Sequence, residues 1–361
     1  MRRILACLSL IILLAPGTFL RTEPEPPNDS QEISLVPVAL NPLKPAQRRI
    51  GALDYIAGWE LRSRNSRFGG ISSMLVEPGS RILALSDGGT LFSFALRQSS
   101  GFADSAAADA DGGWSDFIAP LPGVDGEDRN KAYRDAESLV RDPETGRFWV
   151  GFEDSNRIVR YGAGLARAET GYRPEAMRGW PSNSGAEAMV LLGSARFLVF
   201  SEDQEYGPGV TEALLFIGDP ADPEAQAIRF GYRPPIGYNI TDATLLPDGR
   251  LIILNRRFTV LEGVSARITV ADPADIARDA VLEGRLIAGI DPPLTVDNME
   301  AIAITSEASS DDPDAGEDIM VWIASDDNFN TVQRSLLMKF RLDLERLDSG
   351  ETFRPGLSSI E

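Results

Sequence analysis

Carboxylic acids recur in this chain at matching places in a repeated pattern, an arrangement suited either to holding a hard cation or to bracing backbone. Five short apolar strands open at positions 72, 137, 187, 242 and 300, on Ser72, Glu137, Glu187, Asp242 and Glu300. A second apolar strand follows each, and four of these end in Asp87, Asp154, Glu202 and Asp326, while the fourth in chain order ends in Asn255-Arg256-Arg257. If the repeats wrap about an axis, the opening residues form a ring, and like charges that close raise one another's pKa unless a cation or an arginine compensates. A calcium ion held by several carboxylate and carbonyl oxygens is one solution, with Glu137, Glu187, Asp242 and Glu300 as ligands. The other is structural: each acid accepts hydrogen bonds from backbone N–H groups of the next repeat and holds the ring shut. The second set of acids either faces a common rim or shapes turns such as Ser86-Asp87-Gly88-Gly89.

The chain has no histidine, which removes Ser-His-Asp hydrolysis, His-ligated zinc and every His general base. Its one cysteine, Cys7, lies in an apolar N-terminal run, so the body carries neither thiol chemistry nor disulfides. A Gly-rich phosphate loop with lysine, a Gly-x-Ser-x-Gly elbow and a dinucleotide fingerprint are all missing. Chemistry is left to carboxylates, Arg, Lys, Tyr, Ser and oxygen-bound metals, among which calcium is the natural candidate. A formal net charge of −19 argues against a nucleic-acid partner.

Repeats spaced 50 to 65 residues apart, each with room for about four strands, are the signature of a radial propeller. The expected fold class is all-β: a β-propeller of five blades, or of six if residues 33 to 62 build a blade of their own. In the five-blade reading the fifth repeat has three strands, and the N-terminal strand Tyr55 to Arg62 supplies the outer one beside Leu336 to Leu342, closing the ring. Leu251-Ile252-Ile253-Leu254 and Ile319-Met320-Val321-Trp322-Ile323 are continuously apolar, as strands buried on both faces between stacked blades would be. Little helix is expected. The content of 33 Gly and 24 Pro suits many short strands joined by tight turns.

Met1-Arg2-Arg3 precedes an apolar run from Ile4 to Leu20, the pattern of an export signal and also near the lower limit for crossing a bilayer. Residues 1–20 are therefore read as a signal peptide or membrane anchor, 21–34 as a disordered spacer and 35–361 as a single propeller domain. The expected location is periplasmic or secreted, with anchoring to the inner membrane as the variant in which the segment is retained. A monomer is expected, touching membrane only through that segment. Ser99 to Gly113 and Ser306 to Glu317 read as surface loops, and Asp109-Ala110-Asp111-Gly112 resembles the start of a calcium loop without its downstream spacing.

Four motifs occur in order along the chain. They are Phe68-Gly69-Gly70-Ile71-Ser72; Asp248-Gly249-Arg250-Leu251 leading into Asn255-Arg256-Arg257-Phe258; Asp297-Asn298-Met299-Glu300-Ala301-Ile302-Ala303; and Ser325-Asp326-Asp327-Asn328-Phe329-Asn330 followed by Gln333-Arg334. Over roughly residues 50 to 345 the sequence resembles the bacterial phytase-like proteins labelled "esterase-like activity of phytase". The resemblance implies a link to β-propeller phytases, which use calcium to bind phosphate and activate water, although the Asp-rich run marking those phytases is missing here. Together with the export signal read above, it implies an exported hydrolase of a small anionic phosphate or related ester. Glu187, Glu300 and Asp326 are then the catalytic candidates, Glu137, Glu187, Asp242 and Glu300 the calcium ligands, and Arg257 and Arg334 the groups that bind the anion. The competing expectation is a non-catalytic propeller that binds a ligand or protein partner in the cell envelope.

Overall fold

A computed structural model of the protein describes residues 27–349 apart from 78, 97–114, 124–134, 183–184, 194 and 310–315. The strands form five antiparallel sheets arranged as the blades of a propeller. From the axis outward, blade 1 is built from Ile71–Glu77, Arg81–Ser86, Thr90–Ala95 and Phe117–Pro120, and blade 2 from Ala136–Arg141, Phe148–Phe152, Arg157–Tyr161 and Ala168–Tyr172. Blade 3 comprises Ala186–Leu191, Arg196–Gly207, Val210–Ile217 and Gln226–Arg233, with Val281–Glu283 added in parallel at its outer edge. Blade 4 comprises Asn239–Leu245, Leu251–Thr259, Gly263–Ala271 and Arg285–Ile290. The only α-helix among the described residues is Leu344–Asp348.

Blade 5 joins the two ends of the chain. Its inner three strands, Asn298–Ala308, Glu317–Asp326 and Leu336–Leu342, come from the C-terminal part, and Leu53–Ser63 and Ile33–Pro37 add the outer edge. Leu336 pairs with Glu60 and Leu342 with Leu53 in antiparallel register. The N-terminal strand thus closes the ring as the repeat count requires, and residues 33–63 complete the fifth blade rather than making a sixth. Polar groups before Ile33 have specific partners: Asn65 Nδ2 donates to the Ser30 backbone carbonyl at 2.7 Å, and the Ile118 N–H to the Gln31 side-chain oxygen at 2.5 Å. The apolar run 4–20 lies outside the described residues, as does Asp109–Gly112. None of the described helices is long and apolar enough to cross a membrane.

The core is not central. It is divided into five apolar layers, one between each pair of neighbouring blades. The continuously apolar second strands explain this, since successive side chains of a strand point to opposite faces. Ile252 and Leu254 pack toward blade 5 while Leu251 and Ile253 pack toward blade 3, and Val321 and Ile323 face blade 4 while Met320 and Trp322 face blade 1.

Hydrogen bonds near the axis tie the inner strands together. Ser72 Oγ donates to the Ala136 carbonyl at 2.6 Å, Ser138 Oγ to the Ala186 carbonyl at 2.8 Å, and Thr241 Oγ1 to the Met299 carbonyl at 3.1 Å. Ser73 Oγ accepts from the Leu139 N–H at 3.2 Å and Asp242 from the Ile302 N–H at 2.9 Å. Blades 5 and 1 meet where the Gly70 N–H donates to Asp327 at 3.0 Å.

Two outcomes follow from this closure. A chain starting at residue 66 loses the outer strands of blade 5 and is expected to give no cooperative melt by circular dichroism, whereas one starting at residue 27 melts like the full-length protein. Asp242→Ala, which orphans the Ile302 and Ala243 N–H groups, is expected to cost about 1–3 kcal/mol in denaturant unfolding while leaving calcium affinity unchanged.

Candidate functional site

Each inner strand carries a β-bulge at the same place. Pairing with the second strand slips by one residue between Ile71 and Ser73, Ala136 and Ser138, Ala186 and Ala188, Ile240 and Asp242, and Met299 and Ala301. The extra residues are Ser72, Glu137, Glu187, Thr241 and Glu300. A bulge bends its strand and re-aims the inserted side chain, and here four of the five line a cavity of about 280 Å³ at one mouth of the channel. The residues paired just before each bulge are Ser86, Phe152, Ser201, Asn255 and Ser325. The next residue of each second strand, in turn Asp87, Glu153, Glu202, Arg256 and Asp326, reaches the same cavity. With Asp135 the mouth gathers, among the described residues, eight carboxyl groups against one guanidinium.

Of the residues expected from the sequence, Glu137, Glu187, Glu300, Asp87, Glu202 and Asp326 converge here. Four do not. Thr241, not Asp242, takes the bulge position, and Asp242 is turned to the backbone of blade 5 as a structural brace. Glu153 rather than Asp154 lines the mouth. Arg256 rather than Arg257 enters it: Arg257 bonds Glu262 at 2.5 Å and lies 4.9 Å over the Tyr238 ring. Arg334 is set beside Asp297, 3.7 Å away, outside the lining. The physical reason is shared by the first three: a slip of one residue on a strand sends the side chain to the opposite face.

The sequence held a signal for this register. Ser86, Ser201, Asn255 and Ser325, all fully buried, are small polar residues directly preceding the lining residue in four blades, which assigns Arg256, not Arg257, to the fourth. Likewise Thr241-Asp242 matches Ser72-Ser73, a hydroxyl followed by a brace. Blade 2 has Phe152 at that place, and nothing there separates Glu153 from Asp154. Asp135, Asn298 and Asn328, which also line the mouth, lie just outside the repeated strand cores and carry no periodic signal.

Burial and mutual repulsion govern the electrostatics. Burial first, then Asp87 and Glu153, hold the Glu137 carboxyl well above its usual range, and burial followed by Glu137 and Glu202 does the same to Glu187. Glu153 is raised to about 7 by burial and by Asp135 and Glu202. Glu300 is also raised to about 7, burial outweighing the opposing pull of Arg256. Asp326 is pushed well up by burial and by Asp87. Arg256 forms ion pairs with Glu300 at 3.0 Å and Glu202 at 3.4 Å, bridging blades 3 and 5 across the mouth.

Two acid trios have carboxylate oxygens within 4.8 Å of one another: Asp135, Glu137 and Glu153, and Glu153, Glu187 and Glu202. Glu153 belongs to both. Glu187 is only 8% exposed, and its carboxyl meets Glu153 as hydrogen-bond partner. Two carboxyls in that contact need a proton or a cation between them. Every candidate ligand is a carboxylate oxygen, which suits a hard divalent ion such as calcium.

Solved structures to which the chain is similar include a putative gluconolactonase, at 10% identity over 85% of this chain and 93% of that one with a TM-score of 0.41. A luciferin-regenerating enzyme matches at 10% identity over 84% and 95%, TM-score 0.39, and a protein of unknown function from Dyadobacter fermentans at 10% over 81% and 99%, TM-score 0.39. No curated protein matches the chain. The family model described as "Phytase-like: Esterase-like activity of phytase" matches residues 66–329, from the glycine pair before blade 1 to the turn of blade 5 at the mouth. The chain belongs to this phytase-like family.

Proposed function

We propose that the protein is a calcium-assisted ester hydrolase working at the acidic mouth of the channel. The observation that supports this best is the pair of trios sharing Glu153, set opposite Arg256 in one cavity. Asp135, Glu137, Glu153, Glu187 and Glu202 would hold two cations, one per trio, with Glu153 shared. The chemistry a divalent ion would supply there is polarisation of the ester carbonyl and a more acidic bound water. Arg256, already fixed between Glu202 and Glu300, offers hydrogen bonds to the charge that develops on the ester oxygen. Glu300, raised to about 7 and held by Asn298 Nδ2 at 2.7 Å, is divided between acid and base forms near neutrality and can carry the proton. Asp326, buried beside Asp87, stays protonated more readily than an ordinary aspartate and is a second donor. We place this activity outside the cytoplasm, on the strength of the Met1 to Leu20 segment, in a protein that works as a monomer.

Purified chain 27–361 is expected to hydrolyse 4-nitrophenyl acetate with calcium and to lose that turnover with chelator. Glu187→Gln is expected to lower kcat/KM at least about 100-fold and Arg256→Ala about 10- to 100-fold, with Arg257→Ala near wild type. A folded protein inert toward 4-nitrophenyl acetate and 4-nitrophenyl phosphate alike, with and without calcium, contradicts the proposal and favours a ligand-binding propeller.

The raised carboxyls give a second check. Their folded pKa lies above the unfolded value, so the stability they contribute is complete below about pH 4.5 and is lost as pH rises through about 7 for Glu153 and Glu300. The cation-free protein is expected to melt several degrees lower at pH 8 than at pH 5.5, and calcium to restore the difference. Calorimetry at pH 7 in buffers of different ionisation enthalpy is expected to show proton release on calcium binding.

A further inference from the structure

Phe329 is an aromatic ring placed at the lip of an otherwise polar mouth. It is half exposed, and it directly follows Asn328, which lines the cavity. Its ring lies against three glycines of blade 1. A Cβ on Gly70 would stand 2.5 Å from Phe329 Cε2 and 2.2 Å from Asp87 Oδ1, one on Gly69 3.1 Å from Cδ1, and one on Gly88 3.2 Å from Cζ. The ring is thus fitted to backbone on one side, next to a carboxyl of the mouth, and open to solvent on the other.

The turn that presents it is held by dedicated partners. Asn328 and Phe329 both have φ of 49°, the left-handed region that side chains with a Cβ seldom adopt. Asp327 secures them by accepting from the Phe329 N–H at 3.0 Å, the Gly70 N–H at 3.0 Å and the Ser335 hydroxyl at 2.8 Å. The glycine motif and the Asp-Asp-Asn-Phe motif, far apart in sequence, meet here to build one feature.

The charge of the mouth restricts what can lie on that ring. Among the described residues, the eight acids of the mouth, once ionised, and its one arginine sum to seven negative charges, and two divalent cations, one per trio, would leave three. Arg257 and Arg334, the two arginines expected from the sequence to bind an anion, are engaged elsewhere with Glu262 and Asp297. A doubly charged phosphate ester gains little in such a field, whereas a neutral ester does not oppose it. We infer that the substrate is an uncharged carboxylic ester carrying a flat apolar group, which rests on the exposed face of Phe329 while the ester enters the mouth. This deepens the hydrolase reading and depends on it.

The test uses inert isosteres, so that binding is read apart from turnover. Saturation-transfer NMR on chain 27–361 with calcium would compare acetanilide, a neutral amide in place of the ester, with phenylphosphonate. Acetanilide is expected to bind about tenfold more tightly than phenylphosphonate, with strongest saturation on its ring protons. Phe329→Ala is expected to weaken acetanilide about tenfold and Phe329→Leu to recover part of the loss. Tighter binding of phenylphosphonate by the wild-type protein overturns the inference by itself, whatever the folding of the variants. Acetanilide binding unchanged in a folded Phe329→Ala protein also overturns it. Absence of calcium-dependent turnover of 4-nitrophenyl acetate would instead count against the hydrolase reading.

Discussion

Carboxylates cannot be packed together out of water as anions unless something positive stands among them, and this constraint organises the mouth of the channel. Among the described residues eight acids surround one cavity, and the one arginine beside them already serves two. Protons answer part of the repulsion, as the raised Glu137, Glu153, Glu187 and Asp326 carboxyls indicate. A pair of divalent cations would answer it more fully and would supply the chemistry that a chain without histidine otherwise lacks.

The propeller is what makes such crowding feasible. Its stability comes from five apolar layers between blades, remote from the axis, and from an N-terminal strand that completes the last blade. Hydroxyls of Ser72, Ser138 and Thr241, with Asp242 and Asp327, link neighbouring inner strands without using the acids that face the cavity. Bracing and ligand binding are therefore divided between adjacent positions of the same strands. The bulge makes the division possible where it inserts an acid, in blades 2, 3 and 5, whereas the bulge hydroxyls of Ser72 and Thr241 themselves reach the next blade.

Much of this was legible in the sequence. Continuous apolar stretches such as Leu251 to Leu254 revealed strands buried on both faces, and the spacing of Glu137, Glu187 and Glu300 revealed their common centre. Arg334 apart, which is set beside Asp297 outside the mouth, the misplacements are of one residue. Asp242, Asp154 and Arg257 each stand next to the side chain that enters the mouth, in places where two acids, two arginines or a hydroxyl and an acid adjoin. Side-chain direction in a strand depends on register, and register here depends on a bulge that composition does not announce. Seating Phe329 on Gly69 and Gly70 was a contact across nearly the whole chain, beyond the reach of any local pattern.

The most direct measurement is a crystal structure of residues 27–361 soaked in a lanthanide that replaces calcium, with anomalous difference density calculated around the channel. A strong peak is expected, coordinated by Glu153 together with Asp135 and Glu137, with Glu187 and Glu202, or with both pairs. A map with no peak at this mouth, or with its strongest site on exposed acids elsewhere, would contradict it.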